Sequence, residues 1–241
     1  MLAGAGCLGT MAVAQVLSGV RPEPIRLTGV VVVLLAASAV AFAAGRDGAG
    51  RAVGAFGSAV AVGYAAEWVG VRAGVPFGEY SYTSLLRPQL GGVPVIVAVA
   101  WGGMGLAAHA VATAIVPEAG FRRWAAGALA LTAWDLFLDP QMLRMGLWTW
   151  ADDGPYRGVP VSNFAGWLAV SLVVMAAIDA IVGRSEAAAS GGLIAIYGVM
   201  TAMETLAFAA VFEPPDRVVA LAGGAAMGTF AVLAWRRRWP R

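Results

Sequence analysis

The chain has 241 residues, of which 60% are hydrophobic and only 12% are charged, and its mean hydropathy is +0.76. Soluble domains carry about 25% charged residues, so this composition excludes an ordinary soluble globular protein. The formal net charge is only +2, and we therefore expect no nucleic acid partner. Cys7 is the single cysteine, which leaves no internal disulfide.

Apolar stretches separated by short connections fill the whole chain. A membrane-spanning helix needs roughly 20 mostly apolar residues, and the second and fifth stretches are shorter than the others. The sequence therefore predicts an all-α, polytopic transmembrane helix bundle of seven or eight spans. We expect one membrane domain over residues 1–241, multi-pass in the cell membrane and surrounded by membrane lipids. The candidate spans are Leu2–Val20, Thr28–Ala44, Ala52–Val71, Gly92–Val116, Trp124–Leu138, Ser162–Val182, Gly191–Phe212 and Val218–Trp235.

The charged ends of the spans give conflicting signals about orientation. The start of the chain lacks the basic segment of a signal peptide, so the first helix is expected to remain in the protein. A cluster of arginines, Arg236–Arg238 with Arg241, predicts a cytoplasmic C-terminus. Arg21 and Arg26 follow the first helix while nothing basic precedes it, which favours the reverse. The denser C-terminal cluster is the stronger signal, but the orientation stays open.

Two long connections, Arg72–Gly91 and Asp139–Val161, belong to segments that repeat one pattern, over about residues 60–105 and 126–171. In each segment an acid is followed by aromatic residues 13 and 15 positions later. Each segment also contains a Gly-Val-Pro sequence, and a Trp lies seven positions after its proline. Proline suits the first turn of a helix because its missing N–H would be unpaired there. We infer an internal duplication, and membrane proteins often place a binding site between such repeats. The matched residues are Glu67 with Asp135, Tyr80 with Trp148, Tyr82 with Trp150, Pro94 with Pro160, and Trp101 with Trp167.

Acidic residues inside predicted spans are candidates for function, because a charge at bilayer depth costs roughly 2.5–3.5 kcal/mol on insertion scales. Glu67, Asp135, Asp139 and Glu204 fall on the half of the membrane that the long connections cover. Asp179 falls near the opposite end of its helix, where we expect an interfacial pair with Arg184. His109 is the single histidine, and helix packing is a better prediction for it than catalysis.

Asp135 and Asp139 are four residues apart and share one helical face. Carboxylate oxygens suit a divalent cation such as Mg²⁺, but a site that grips diphosphate would bring more acids and nearby basic residues. The alternative is an acid/base pair whose protonation states differ because like charges crowd. We favour acid chemistry, and we predict neither a metal nor a cofactor.

Aromatic residues recur at corresponding places in both repeats, with Trp134 close by. An aromatic belt at the membrane interface explains some of them, but Trp101 and Trp167 lie two helical turns below their prolines. Aromatic faces stabilise desolvated cations by about 0.5–2 kcal/mol. Together with a protonated acid, they are the groups needed to protonate an alkene and shelter the carbocation. The substrate would be a lipid-soluble polyene taken from the bilayer.

Three runs of sequence resemble the CruF-type membrane proteins of carotenoid biosynthesis. They are PFGEYSYT at residues 76–83, TAWDLFLDPQM at 132–142, and WTW at 148–150 followed by GVPVSNFAGW at 158–167. The resemblance implies a carotenoid hydratase, which adds water to the terminal double bond of an acyclic end group and needs no cofactor. It also implies a carotenoid as substrate, and other enzymes of the carotenoid pathway as partners.

The candidate site residues follow from these observations. We expect Glu67, Asp135, Asp139 and Glu204 to be catalytic, with Glu67 or Asp135 as the proton donor. Substrate or its water would be held by Glu79, Tyr80, Tyr82, Trp101, Trp134, Gln141, Trp148, Trp150, Asn163 and Trp167.

Two other functions fit the same residues. A prenyl-transfer or cyclising enzyme would use Asp135 and Asp139 on a metal, although one carboxylate pair is few for that chemistry. A transporter or carotenoid-binding protein would use the acids as proton-relay or structural groups.

Overall fold

The computed structural model describes residues 1–20, 24–182 and 189–238. In these ranges the chain forms eight α-helices, one π-helical turn and four short strands. The strands are β1 (Tyr80–Tyr82), β2 (Gln89–Leu90), β3 (Val93–Pro94) and β4 (Trp148–Trp150). The helices are α1 (Leu2–Val20), α2 (Pro24–Asp47), α3 (Ala49–Ala73), α4 (Val95–Ile115), α5 (Phe121–Arg144), α6 (Val161–Val182), α7 (Gly191–Leu206) and α8 (Arg217–Arg238), and the π-helical turn is Ala207–Val211.

The prediction of an all-α membrane bundle is confirmed. Seven of the helical segments in the described ranges are long and apolar enough to cross a bilayer. The eighth, α5, carries five charged residues within its 24 positions, which lowers its hydropathy. At 1.5 Å per residue it is about 36 Å long, which exceeds the roughly 30 Å of a hydrocarbon core. Length therefore permits α5 to cross with the rest, and three of its charged side chains, those of Arg123, Asp135 and Asp139, are buried inside the protein.

The predicted boundaries of the fifth span were wrong. Instead of ending at Leu138, α5 continues through Pro140 to Arg144. Proline lacks an N–H and therefore leaves the carbonyl of Leu136, four residues earlier, without its helical partner. The hydroxyl of Tyr156 donates to that carbonyl at 2.9 Å. Asp139 and Gln141, which the sequence placed in or at the start of a connection, consequently project from a helix.

Helix α4 lies at the centre of the bundle, and every residue from Ala100 to Thr113 is buried. It packs against α2, α3, α5, α6, α7 and α8. Its sequence is rich in glycine and alanine, and small residues let membrane helices approach closely where no hydrophobic effect drives them together. The outer helices α1 and α8 expose apolar side chains such as Val13 and Leu221. The bundle therefore presents an apolar surface suited to lipid.

Candidate functional site

The two long connections meet over one end of the bundle in a short antiparallel pair of strands. β1 pairs with β4 so that Tyr80 lies opposite Trp150 and Tyr82 lies opposite Trp148. The duplication equates Tyr80 with Trp148 and Tyr82 with Trp150, so exchanging the two repeats leaves this pairing unchanged. A two-fold axis between the strands produces such a pattern, and the pairing therefore supports the inferred duplication.

The turns that follow β1 and β4 are also related by the exchange of the two repeats. Gly91 and Gly92 have φ angles of 57° and 89°, and Arg157 and Gly158, 66 positions later, have 54° and 85°. These are the φ angles of a type I′ turn, and in each repeat the two flanking residues pair with each other. Arg157 is the one residue other than glycine with a positive φ in the described part of the chain. The turns extend the likeness of the repeats into backbone conformation.

The repeats interlock through their helices. α3 packs against both α4 and α6, and α5 packs against both α6 and α4. Trp101 of the first repeat stacks on Trp167 of the second, with ring centroids 4.1 Å apart. The Trp101 ring lies directly on Gly63, where a Cβ would stand 2.4 Å from the ring's Cγ. Glycine at this position therefore lets the indole reach the middle of the repeat interface.

A cavity of about 70 Å³ lies between the paired strands and the stacked indoles, and we call it the aromatic cavity. A water molecule needs roughly 10–15 Å³ on this scale, so the cavity holds a few waters or the branched end of a hydrocarbon, but not a long chain. Its lining combines carboxyl groups with aromatic rings. The lining residues are Thr28, Val32, Glu67, Phe77, Tyr80, Tyr82, Leu86, Ile96, Val97, Ala100, Trp101, Trp134, Leu138, Asp139, Met142, Trp148, Trp150, Asn163 and Trp167.

Glu67 enters the aromatic cavity from α3 and is held by three donors. The hydroxyls of Tyr80 and Tyr82 both donate to its Oε2, the latter at 2.7 Å, and the Trp101 Nε1–H donates to its Oε1 at 3.1 Å. An ionised carboxylate only accepts hydrogen bonds, and several donors around it favour the anion. The geometry therefore suits Glu67 as a carboxylate fixed in position.

The two tyrosines keep their protons in this arrangement. Burial, followed by the negative charge of Glu67, raises the pKa of Tyr80 and of Tyr82 well above the ordinary value of 10. Both phenols are therefore neutral donors over the physiological range of pH.

The second repeat holds its acids differently. The Nδ2 of Asn163 donates to Asp135 Oδ2 at 2.7 Å and also to Asp139 Oδ2, so one amide bridges both carboxyls. Trp148 Nε1–H donates to Asp139 Oδ1 at 3.0 Å. Asp139 lines the aromatic cavity, whereas Asp135 lies behind it, fully buried, with an Oδ1 that has no partner among the described residues. The arrangement is a carboxyl pair of which one member faces the cavity.

The sequence profile of a family described as carotenoid biosynthesis protein matches residues 28–231. The chain belongs to this carotenoid biosynthesis family.

A curated relative is similar to part of this member of the carotenoid biosynthesis family. It is 32% identical over 120 residues to the bisanhydrobacterioruberin hydratase of Haloarcula japonica. The match covers 48% of this chain and 41% of the relative, so the chain spans less than half the length of the curated relative that it matches. No solved structure matches the chain.

Four of the predicted site residues do not line the aromatic cavity of this family member, and one of them, Asp135, lies directly behind it. Glu79 lines a groove on the outer side of the paired strands. Gln141 and Glu204 line a separate cavity between α1, α5 and α7. Gln141 projects away from Asp139 because residues two positions apart on a helix point in nearly opposite directions.

The sequence analysis missed the apolar part of the lining. Phe77, Leu86, Ile96 and Met142 carry no chemical signal that distinguishes them from other apolar residues. The contribution of α2, through Thr28 and Val32, was also missed because α2 lies outside the duplication. Phe77, Leu138 and Met142 stood within the resembling runs and were the residues that the sequence could have found.

Asp179 lies near the opposite end of its helix, as the sequence suggested, and its side chain is buried there. Its carboxylate accepts hydrogen bonds from His109 Nε2 at 2.7 Å, Arg123 at 3.1 Å and Trp124 Nε1 at 2.7 Å. The predicted partner Arg184 lies outside the described residues. The cluster joins α4, α5 and α6, and this packing role agrees with the prediction for His109.

Proposed function

We propose that this protein is a carotenoid hydratase, which adds water to the terminal carbon–carbon double bond of an acyclic end group and gives a tertiary alcohol. The observation that carries the proposal is a small aromatic cavity with a carboxyl system on each side, Glu67 in one and Asp139 in the other. Alkene hydration needs an acid, shelter for a cation, water and a base. Family membership and the relative named as a bisanhydrobacterioruberin hydratase support the same chemistry.

Asp139 is the proton donor in this proposal, backed by Asp135. The hydrogen-bond partners of the two carboxyls in the described residues are Asn163 and Trp148, neither of which is a cation. Two adjacent anions in apolar surroundings repel each other and lack solvation, so the pair holds a proton. Asp139 faces the cavity and delivers this proton to the less substituted alkene carbon.

The tertiary cation then forms among the indoles. Trp101 and Trp167 present stacked faces, and Trp134 meets Trp167 edge-on with centroids 6.0 Å apart. Each desolvated aromatic face is worth about 0.5–2 kcal/mol to a cation. The phenols of Tyr80 and Tyr82 are neutral, so they place no positive charge beside this carbocation.

Glu67 completes the reaction as the base. Its carboxylate attracts the cation, and it accepts a proton from the water whose oxygen bonds to the tertiary carbon. The added atoms are one proton from Asp139 and one hydroxide from water. The proton on Glu67 returns to Asp139 through water before the next turnover, so nothing is oxidised or reduced.

The cavity dimensions fit an end group better than a whole carotenoid. At about 70 Å³ the cavity admits only the branched terminus, and the rest of the polyene would remain among lipids. Val32 and Thr28 place α2 at the cavity wall, where the substrate would pass from the bilayer. Such a substrate and product stay in the membrane, which favours contact with other carotenoid enzymes in the cell membrane.

The experiment is pigment analysis in a host that accumulates lycopene, γ-carotene or bisanhydrobacterioruberin. The wild type should give a more polar pigment, heavier by one water and with an unchanged chromophore. Asp139→Asn and Glu67→Gln should lower product formation by roughly 10²–10⁴-fold, the usual contribution of general acid–base catalysis. Glu79→Gln is the matched control, since Glu79 lies outside the cavity, and it should keep full activity.

Two results would contradict the proposal. Wild-type protein in the membrane that yields no hydrated pigment from any of the three carotenoids would favour a binding or transport role. Full activity in both Asp139→Asn and Glu67→Gln would show that the carboxyls are not the acid and base. Asp135→Asn should have a smaller effect than Asp139→Asn, because Asp135 does not face the cavity.

A further inference from the structure

A second cavity lies on the other side of α5, and we call it the Glu204 chamber. It measures about 140 Å³, is partly open at the surface, and is lined by residues of α1, α5, α7 and the π-helical turn. Four polar residues line it, Gln15, Ser18, Gln141 and Glu204, and the rest of the lining is mainly apolar. The Ser18 hydroxyl already donates to the Gln15 carbonyl at 2.8 Å. The mechanism proposed above uses none of these residues.

The Glu204 carboxyl in this chamber is buried without a partner. The side chain is only 7% exposed, and no hydrogen bond or ion pair reaches its carboxyl from any described residue. A buried polar group without a hydrogen bond costs roughly 1–3 kcal/mol, so an acid in this state points to a missing partner. The π-helical turn begins three residues after Glu204, and such turns occur frequently at functional sites.

Gln15 supplies a second unpaired group. Its Nε2 donates to the sulfur of Met200 at 3.4 Å, and its Oε1 is buried without a partner in the described chain. A thioether sulfur accepts but cannot donate, which fixes the amide with its nitrogen toward Met200 and its oxygen turned away from it. The amide of Gln141 likewise has no hydrogen-bond partner among the described residues.

The balance of these groups identifies the occupant. The acceptors without a partner are the carboxyl oxygens of Glu204 and the amide oxygens of Gln15 and Gln141. The unpaired donors are the Gln141 amide and the Glu204 carboxyl when it holds a proton. An occupant must therefore both donate and accept hydrogen bonds. Water donates two and accepts two, whereas an alcohol donates only one, so the chamber favours water. About 140 Å³ holds several waters at roughly 10–15 Å³ each.

The chamber is placed where water can reach it. Its lining comes from the last turns of α1 and α5 and from the π-helical turn after α7, all at the end of the bundle covered by the long connections. Gln141 and Asp139 lie at the same depth on α5, about 200° apart around the helix. In the aromatic cavity the carboxyl oxygens of Glu67 and Asp139 already accept hydrogen bonds from protein donors.

We propose that the Glu204 chamber binds water inside the membrane, and that it stores the water consumed in hydration. The second part rests on the proposed function, and the first does not. Gln15 and Glu204 act as positioning residues for the water, since neither lines the aromatic cavity.

Radiolytic hydroxyl labelling with mass spectrometry tests the site on the full-length protein in detergent or nanodiscs. Radicals formed from bound water oxidise nearby methionines, and Met203 lines the chamber while Met142 lines the aromatic cavity. In the wild type we expect Met203 to be labelled. In Gln15→Leu/Glu204→Leu the label at Met203 should fall at least fivefold, while the label at Met142 is unchanged. Glu204→Gln keeps a polar group and should keep most of the label.

The matched control is Thr205→Val, an isosteric change beside Glu204 that does not line the chamber; it should leave labelling and activity at wild-type values. With carotenoid substrate, the double Leu variant should lower kcat about tenfold or more and leave KM unchanged.

Met203 labelling equal in wild type and double variant would overturn the water site. Lost labelling with an unchanged kcat would overturn its link to hydration. Co-purification of a lipid alcohol that Glu204→Leu abolishes would replace water as the occupant. Labelling needs no turnover, so failure of the hydratase proposal is seen separately.

Discussion

The indole planes of Trp101 and Trp167 lie 17° from parallel, although the two residues are 66 positions apart in sequence. Each stands seven residues after the proline that begins its helix, and the exchange of repeats carries one onto the other. The stack therefore lies where the two repeats meet. The two indoles differ in one respect: Trp101 donates to Glu67, whereas no described carboxyl accepts from Trp167.

This difference allows the hydrogen bond to be separated from the ring. Trp101→Phe and Trp167→Phe each retain an aromatic face, but only Trp101→Phe removes a donor from Glu67. Hydrogen bonds to charged groups are worth roughly 1.5–3 kcal/mol, so hydration by Trp101→Phe should fall about tenfold or more below that of Trp167→Phe. Product formation per folded protein is the measurement, and equal losses would show that only the rings matter.

The phenols of Tyr80 and Tyr82 should not ionise when exposed tyrosines do. Because burial and Glu67 raise their pKa, the gain in tyrosinate absorbance up to about pH 11 should be the same in wild type and in Tyr80→Phe/Tyr82→Phe. The folded state holds these protons more tightly than the unfolded state does. Their ionisation therefore leaves the free energy of unfolding unchanged below about pH 10 and lowers it above that pH. A smaller absorbance gain in the double variant would contradict the raised pKa.

Arg157 should tolerate glycine better than alanine. Its φ of 54° matches that of Gly91 in the first repeat, and a side chain in the left-handed region costs roughly 1–2 kcal/mol. Both substitutions remove the ion pair with Asp216, whose Oδ2 lies 2.6 Å from Arg157 Nε, so comparing them isolates the backbone. Arg157→Gly should unfold at a higher temperature than Arg157→Ala in detergent, and the reverse order would argue against the positive φ.

Removing the Asp179 carboxylate should destabilise the bundle without touching the proposed site. Asp179→Ala leaves the buried Arg123 without its ion-pair partner, and breaking a buried pair costs about 3–5 kcal/mol. We expect little folded protein by gel filtration, while the specific activity of the folded fraction stays near that of the wild type. Thr113→Val is the control: its hydroxyl bonds only to the backbone of its own helix, so its yield should stay close to normal.

Hydropathy and spacing were sufficient to predict several features. The helices follow from long apolar runs, and the duplication follows from matched intervals between acids, aromatics and prolines. The matched intervals also placed Glu67, Tyr80, Tyr82 and Trp101 in one repeat, and in the structure the last three donate hydrogen bonds to Glu67.

Long-range partners could not be predicted in the same way. Asn163 bridges Asp135 and Asp139 from another helix, and nothing in its spacing to them indicates that contact. The end of α5 was misplaced because proline normally terminates helices, whereas here the Tyr156 hydroxyl satisfies the freed carbonyl from a distant turn.

The sequence by itself determined that this protein is a membrane helix bundle built on a repeated acid and aromatic pattern, since hydrophobicity and periodicity are local properties of the chain. The tertiary structure decided which acids share a cavity. It placed Asp139 beside the aromatic rings and set Gln141 with Glu204 in a second chamber. The physical reason is that the direction of a side chain depends on helix phase and on which helices pack together, and packing is decided by contacts between residues far apart in sequence.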